Sequence, residues 1–276
     1  MSRTVDQKRA AFRALHEHGC FVIPNPWDVG SARMLERLGF KALATTSSGH
    51  AWSQGRADGR ESREAVLAHL REIVAATDLP VNADFESGYA DDPEGVAESV
   101  RRAVAAGVAG LSIEDSTGNE KDPLRGVEDA VARLRAARRA IDESGTGTLL
   151  VGRAENFFLG KPDLADTIAR LKAYSEAGAD CLYAPGIRTR EEIAAVVKAA
   201  APKPVNVLVG STSEFTVADL AALGVRRISV GGALARAAWG GFLRAARGLA
   251  EEGRFDGFAG ATPGKELNGI FRGAGD

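Results

Sequence analysis

Short apolar runs and longer amphipathic stretches alternate along almost the whole chain. Thr4–His18 carries Ala11 and Leu15 at helical spacing and ends at Gly19. Cys20–Ile23 is an apolar run of strand length, and Pro24-Asn25-Pro26-Trp27-Asp28 turns out of it. Asp28 is placed to cap a helix that runs to Leu38. Lys41–Thr45 predicts a second strand, Thr46–Arg60 a polar, glycine-containing loop, and Glu61–Thr77 a helix. Pro80–Asp84 and Gly110–Asp115 are strands that end in polar groups, with a helix at Pro93–Ala106 between them. That is a βαβ unit, which makes neighbouring parallel strands.

The alternation continues beyond that unit. Strands are predicted at Thr148–Arg153, Cys181–Tyr183, Pro204–Leu208 and Arg227–Val230. Helices are predicted at Val127–Glu143, Pro162–Ala177, Thr189–Ala200, Thr216–Leu223 and Gly232–Glu252. Three helices close with a glycine followed by an apolar lead into a strand, at Gly107, Gly178 and Gly224. Strands recur roughly every 25–35 residues, the βαβ period. Eight such repeats fit one α/β domain over residues 1–276, a (β/α)8 TIM-type barrel. A doubly wound sheet would alternate in the same way, but no G-x-G-x-x-G follows the first strand. Residues 255–276 read as a short C-terminal tail, a candidate for docking on another subunit.

Composition narrows the partners. An apolar share of 45% supplies a core, and a formal net charge of −2 gives no basic footprint for nucleic acid. Cys20 and Cys181, the two cysteines, stand in apolar runs and read as small buried hydrophobes. No run of 18 apolar residues and no leader-like start appear, so the expectation is a cytoplasmic protein that does not engage a membrane. His16, His18 and His69 fall on helices and read as surface residues, whereas His50 falls in the polar loop.

In a barrel the loops after the strands form the active face. Thr46, Ser47, Ser48 and Asp58 follow strand two. Asn82, Asp84 and Glu86 end strand three, and Glu114 and Asp115 end strand four, with Lys121 on the following loop. Arg153 and Glu155 follow strand five, and Asn206 lies on strand seven. Carboxylates gathered on adjacent strand ends repel one another, and a hard divalent cation such as Mg²⁺ is the simplest group to hold them. The set suits a polar pocket for a metal and a small carboxylate.

These residues resemble the isocitrate lyase/phosphoenolpyruvate mutase superfamily over nearly the whole chain. The likeness rests on Asn25-Pro26-Trp27-Asp28, the Thr46-Ser47-Ser48-Gly49 loop leading to Gly55 and Asp58, and Val81-Asn82-Ala83-Asp84. It continues through Gly88-Tyr89, Ile113-Glu114-Asp115, Gly152-Arg153-Ala154 and Pro204-Val205-Asn206. The resemblance implies Mg²⁺-dependent making or breaking of a C–C or P–C bond beside a 2-oxo or enolate carboxylate, with Mn²⁺ as the alternative ion. It implies that Asp84 and Glu114 hold the metal, directly or through water, with Asn82 where many members have another aspartate. Thr46, Ser47, Ser48 and Arg153 would bind the substrate carboxylate, with Asn206 added to that pocket. Asp58 would act as base or orienting group and Lys121 from a lid-like loop. Homodimers or homotetramers with an exchanged C-terminal helix are implied as well.

One departure matters. Isocitrate and methylisocitrate lyases share a Lys-Lys/Arg-Cys-Gly-His segment after strand four. Here that region is Ser116-Thr117-Gly118-Asn119-Glu120-Lys121-Asp122-Pro123, without cysteine or histidine. The asparagine-serine pair of the phosphoenolpyruvate mutase lid is absent too. The sequence therefore points to a lyase cleaving a small 2-oxo or 2-hydroxy acid by retro-aldol reaction or decarboxylation through an enolate. A phosphonomutase and a non-catalytic carboxylate-binding barrel are the alternatives.

Overall fold

The structure is a computed structural model that describes residues 2–272. The expected domain and tail extend past these bounds, at residues 1 and 273–276, which lie outside the described residues. Eight parallel strands are β1 (Phe21–Ile23), β2 (Leu43–Ala44), β3 (Val81–Asp84), β4 (Gly110–Glu114), β5 (Leu149–Arg153), β6 (Cys181–Tyr183), β7 (Val205–Leu208) and β8 (Arg227–Ser229). They are hydrogen-bonded in the order β1-β8-β7-β6-β5-β4-β3-β2. The Ala44 N–H donates to the Pro24 carbonyl at 3.0 Å, which draws the two ends of that order together. The result is the expected (β/α)8 barrel.

Helices alternate with the strands. The first is α1 (Val5–Glu17), followed by α2 (Val29–Arg37), α3 (Ser47–Ser53), α4 (Arg63–Ala76), α5 (Pro93–Ala105) and α6 (Val127–Ser144). Next come α7 (Leu164–Glu176), α8 (Arg190–Ala200), α9 (Val217–Ala222), α10 (Ala233–Glu252) and α11 (Gly264–Arg272). Their starts follow the local chemistry: Asp28, Ser62, Asp92 and Thr189 each accept a first-turn N–H through the side chain. Most of the apolar core lies between the helices and the outside of the barrel.

The lower end of the barrel is closed by α1. Phe12 is fully buried there with Phe21, Ile23 and Leu149. Lys8 and Arg9 tie the helix down by donating to the carbonyls of Val74, Thr77, Val104 and Val108. Gly110 has no side chain because a Cβ there would lie 2.7 Å from the Phe12 ring and 2.8 Å from the Asn82 amide oxygen.

Two expectations change. The Thr46–Arg60 segment is not all loop, because Thr46 caps α3 through the Gly49 N–H. Gly49 and Ala51 then bury against the barrel mouth; a Cβ on Gly49 would meet Trp27 at 3.0 Å. Polar composition misled there because a short cap and tertiary packing outweigh it. His69 is buried and His16 largely so, because the inner faces of α4 and α1 carry them. Their places on helices had read as surface, but His69 stacks on His50 at 3.7 Å and His16 packs edge-on to Phe12 at 4.6 Å. The C-terminal tail carries α11. Among the described residues no helix is long and apolar enough to cross a membrane.

Candidate active site

A cavity of about 670 Å³ opens at the C-terminal ends of the strands. β3, β4 and β5 each end on a charged residue, and adjacent strands put those ends side by side. Arg153, at the end of β5, sits across from Glu114 in the β4–β5 register. Its Nη1 lies 3.1 Å from Asp84 Oδ1 and 3.0 Å from Glu114 Oε2, and its Nε donates to Glu155. The guanidinium also lies over the Tyr183 ring, 5.2 Å from its centroid. Its Nη2 has no hydrogen-bond partner among the described residues, and Arg153 lines the cavity.

The charge balance around Arg153 is uneven. One guanidinium faces Asp84, Glu114 and Glu155 directly, with Glu86 and Asp58 near enough to feel the same field. Burial raises Glu114 well above the ordinary carboxylic range, and the charges of Glu155, Asp84 and Glu86 add to that against the pull of Arg153. Burial likewise raises Glu155. Glu86 is pushed up to about 7 by burial and then by Asp84, against a 2.8 Å hydrogen bond from the Tyr89 hydroxyl. Glu86 and Tyr89 both have positive φ, 45° and 53°, so the β3 loop is held in a strained turn beside the acids. Asp58 stands at the exposed rim; lost hydration on its inner side and the charge of Asp84 raise it. Such clustering of perturbed acids in a cleft is a mark of a functional site.

The remaining expected residues divide. Ser47 and Ser48 line the cavity, but the Ser47 N–H donates to Asp84 Oδ2 at 3.0 Å, so it braces that carboxylate here. Thr46 shares a 3.1 Å hydrogen bond with Ser48. Asn82 lines the cavity, yet its amide oxygen is engaged by Arg227 at 3.3 Å. Asn206 is buried, accepting from Arg227 Nε at 2.8 Å and donating to Ser229 at 2.9 Å. Lys121 is exposed on the loop after β4 and does not line the cavity. That loop is a braced hairpin, with Ser116 bridged to Leu124 and the Thr117 N–H on the Pro123 carbonyl at 2.9 Å.

Asp115 leaves the acid set. It is buried behind the strand, accepting from Arg170 at 3.0 Å, from the Tyr174 hydroxyl at 2.5 Å and from the Glu155 N–H at 2.8 Å. It therefore fixes the backbone at Glu155. Arg227 and Tyr183 were read only as strand residues, yet both line the cavity. A signal for Arg227 did exist: a charge inside an apolar strand must face either solvent or a polar interior.

Among the described residues no three His, Cys, Asp or Glu side chains converge as a ready-made metal cage. Mg²⁺ needs none, since it keeps several waters and takes one or two protein carboxylates. The surplus of acids over guanidinium around Arg153 suits a hard dication, so the donor set fits.

The family model described as phosphoenolpyruvate phosphomutase matches residues 12–250. A solved structure of a candidate lyase/mutase from Burkholderia cenocepacia is 49% identical, covers 98% of each chain and superposes with a TM-score of 0.94. An oxaloacetate decarboxylase from Paraburkholderia xenovorans is 30% identical over 236 residues, 80% of this chain and 74% of its own. The structure of 2,3-dimethylmalate lyase, a member of the same superfamily, is 26% identical with a TM-score of 0.84, covering 98% of this chain and 95% of that one.

Proposed function

Because this chain belongs to the phosphoenolpyruvate phosphomutase family of C–C lyases and mutases, we propose that it is a Mg²⁺-dependent C–C lyase. Its substrate is a small 2-oxo or 2-hydroxy carboxylic acid, cleaved by retro-aldol reaction or decarboxylation through an enolate. One observation carries the reading: a single guanidinium, Arg153, set among several carboxyl groups at the mouth of a barrel.

Cleaving a bond beside a ketone or carboxylate leaves negative charge on oxygen, and fixed donors that meet it lower the barrier. Arg153 supplies such donors: it lines the cavity, and its Nη2 is uncommitted among the described residues. Ser48 and Thr46 hydroxyls hold the substrate carboxylate. Asp84 and Glu114 would hold the metal, partly through water; bound there, Mg²⁺ supplies Lewis acidity and two positive charges for the crowded acids. Asp58, at the rim with a raised carboxyl, takes or returns the proton. Lys121 reaches the site when the hairpin after β4 folds over the cavity, which also excludes water.

The names of the decarboxylase and of the dimethylmalate lyase support both reaction types, on an oxo acid and on a hydroxy acid respectively. The protein is also proposed to act as a homodimer or homotetramer with exchanged C-terminal helices. α10 leaves Trp239, Phe242, Leu243 and Leu249 exposed, and Phe255, Phe258 and Phe271 follow in the same state. A row of that kind on a lone subunit marks an interface. Light scattering at micromolar concentration reads the mass directly.

The decisive experiment is a screen of oxo- and hydroxy-acids with Mg²⁺, reading release of pyruvate, glyoxylate or CO₂. Tight oxalate binding with no turnover of any acid would instead make the barrel a carboxylate binder. Conversion of phosphonopyruvate, followed by ³¹P resonance, would make it a mutase.

A further inference from the structure

Two guanidiniums line one cavity, and their surroundings are opposite. Arg153 closes β5 among carboxylates. Arg227 opens β8 and lies a layer deeper, as the register Arg153↔Tyr183, Tyr183↔Asn206, Asn206↔Arg227 steps round the barrel from a strand end to a strand start. It is 2% exposed. Its Nε donates to Asn206 Oδ1 at 2.8 Å and its Nη1 to Asn82 Oδ1 at 3.3 Å. Both partners are neutral amides, and both are held: Asn206 donates to Ser229 at 2.9 Å and Asn82 to the Ala83 carbonyl at 3.0 Å. Among the described residues no carboxylate lies within ion-pairing distance of Arg227, and its Nη2 has no hydrogen-bond partner. In the floor, His16 spends Nδ1 on the Phe12 carbonyl at 2.8 Å and offers no negative charge.

Burying a cation is costly unless charge and hydrogen bonds meet it, and amide oxygens meet only part of that demand. Asn82 and Asn206 are the positions from which a carboxylate would neutralise Arg227, and neither is one. The wall around it is polar without being acidic. Asn82 touches it, Ser229 shares Asn206 with it, and Ser112 stands two residues along β4 from Gly110, the register partner of Asn82. Asn82, Ser112, Ser229 and Arg227 all line the cavity, so an ion entering there reaches this layer. A substrate held between Asp84, Ser48 and Arg153 occupies the strand ends and leaves the deeper layer to another anion. We infer that Arg227 holds a resident inorganic monoanion, chloride foremost, at the bottom of the cavity and beneath the substrate. The ion is a structural countercharge and not a reactant, so the inference stands apart from the proposed reaction and needs no turnover.

The test melts the full-length protein in sodium chloride and in sodium gluconate, whose anion is too bulky for the floor, at equal ionic strength. Chloride is expected to raise the melting temperature by roughly 5 °C over gluconate, the scale for a ligand at a hundredfold excess over its Kd in a chain of this size. Crystals grown with sodium bromide are expected to show an anomalous peak beside the Arg227 guanidinium, and to keep it when oxalate is added. Arg227→Gln is expected to lose the chloride increment. Asn206→Asp is the second variant: it leaves Arg227 in place, supplies an internal countercharge and guards against a misfolded Arg227→Gln. It too is expected to lose the increment, while melting no lower than the wild type in gluconate. Equal melting temperatures in the two salts, no bromide at Arg227, or an increment that survives both substitutions would overturn the resident ion. Bromide displaced by oxalate would overturn it as well and give Arg227 to the substrate. None of these outcomes touches the lyase reading, which the screen of acids decides.

Discussion

Arg153 meets Asp84 across two strands, with Nη1 3.1 Å from Oδ1, so the two groups can share one small molecule. Asp84→Asn is expected to reduce turnover by on the order of a hundredfold or more, the scale of losing one preorganised electrostatic group. Mg²⁺ affinity should fall with it. Unchanged turnover and unchanged metal binding would remove the metal role from Asp84. Chelation of the wild type should abolish turnover, and Mg²⁺ or Mn²⁺ should restore it.

Arg153→Lys keeps the charge but removes the fork that spans Asp84, Glu114 and Glu155. A drop in kcat/KM of roughly a hundredfold is expected. A variant within a factor of two of wild type would show that positive charge alone suffices there.

Lys121→Ala separates two pictures of the hairpin after β4. If the hairpin folds over the site, kcat falls by about a hundredfold, the low end for a positioned acid or base. If kcat is unchanged, Lys121 stays in solvent, where it lies in this structure, and leaves the catalytic set.

Acid should destabilise the fold through its histidines. Burial pushes His16 and His69 down to about 3 from an ordinary 6.5, with Arg227 adding to the first and His50 to the second. The unfolded chain therefore binds more protons than the folded one between those values. Stability is full above about pH 6.5 and falls as pH drops through that window, by up to about 1.4 kcal/mol per unit for each histidine. Urea midpoints at pH 7.5 and 5 measure it. His69→Gln should flatten the slope, and an identical slope in that variant would rule His69 out as its source.

The fold was legible because strand and helix periods differ and because glycines such as Gly107 and Gly178 mark helix ends with positive φ. The placement of two carboxylates at strand ends was legible too, since Asp84 and Glu114 close β3 and β4. What stayed hidden depends on contacts between distant segments. The Asn82 amide oxygen accepts from Arg227, 145 residues further along the chain. Asp115 is next to Glu114 in the chain, but one residue of a strand reverses the face, and it turns outward to Arg170. His69 sits on a helical face whose partner is another histidine, which no local pattern announces.

The Phe12 ring gives the catalytic chamber a bottom. Without α1 that end of the barrel would open to water, and the buried charge on Arg227 would lie nearer solvent. The first eighteen residues, remote from every reacting group, thus set the dielectric in which the chemistry runs. Trimming them would be expected to lower the melting temperature, since the buried Phe12 ring and the Lys8 and Arg9 anchors go with them.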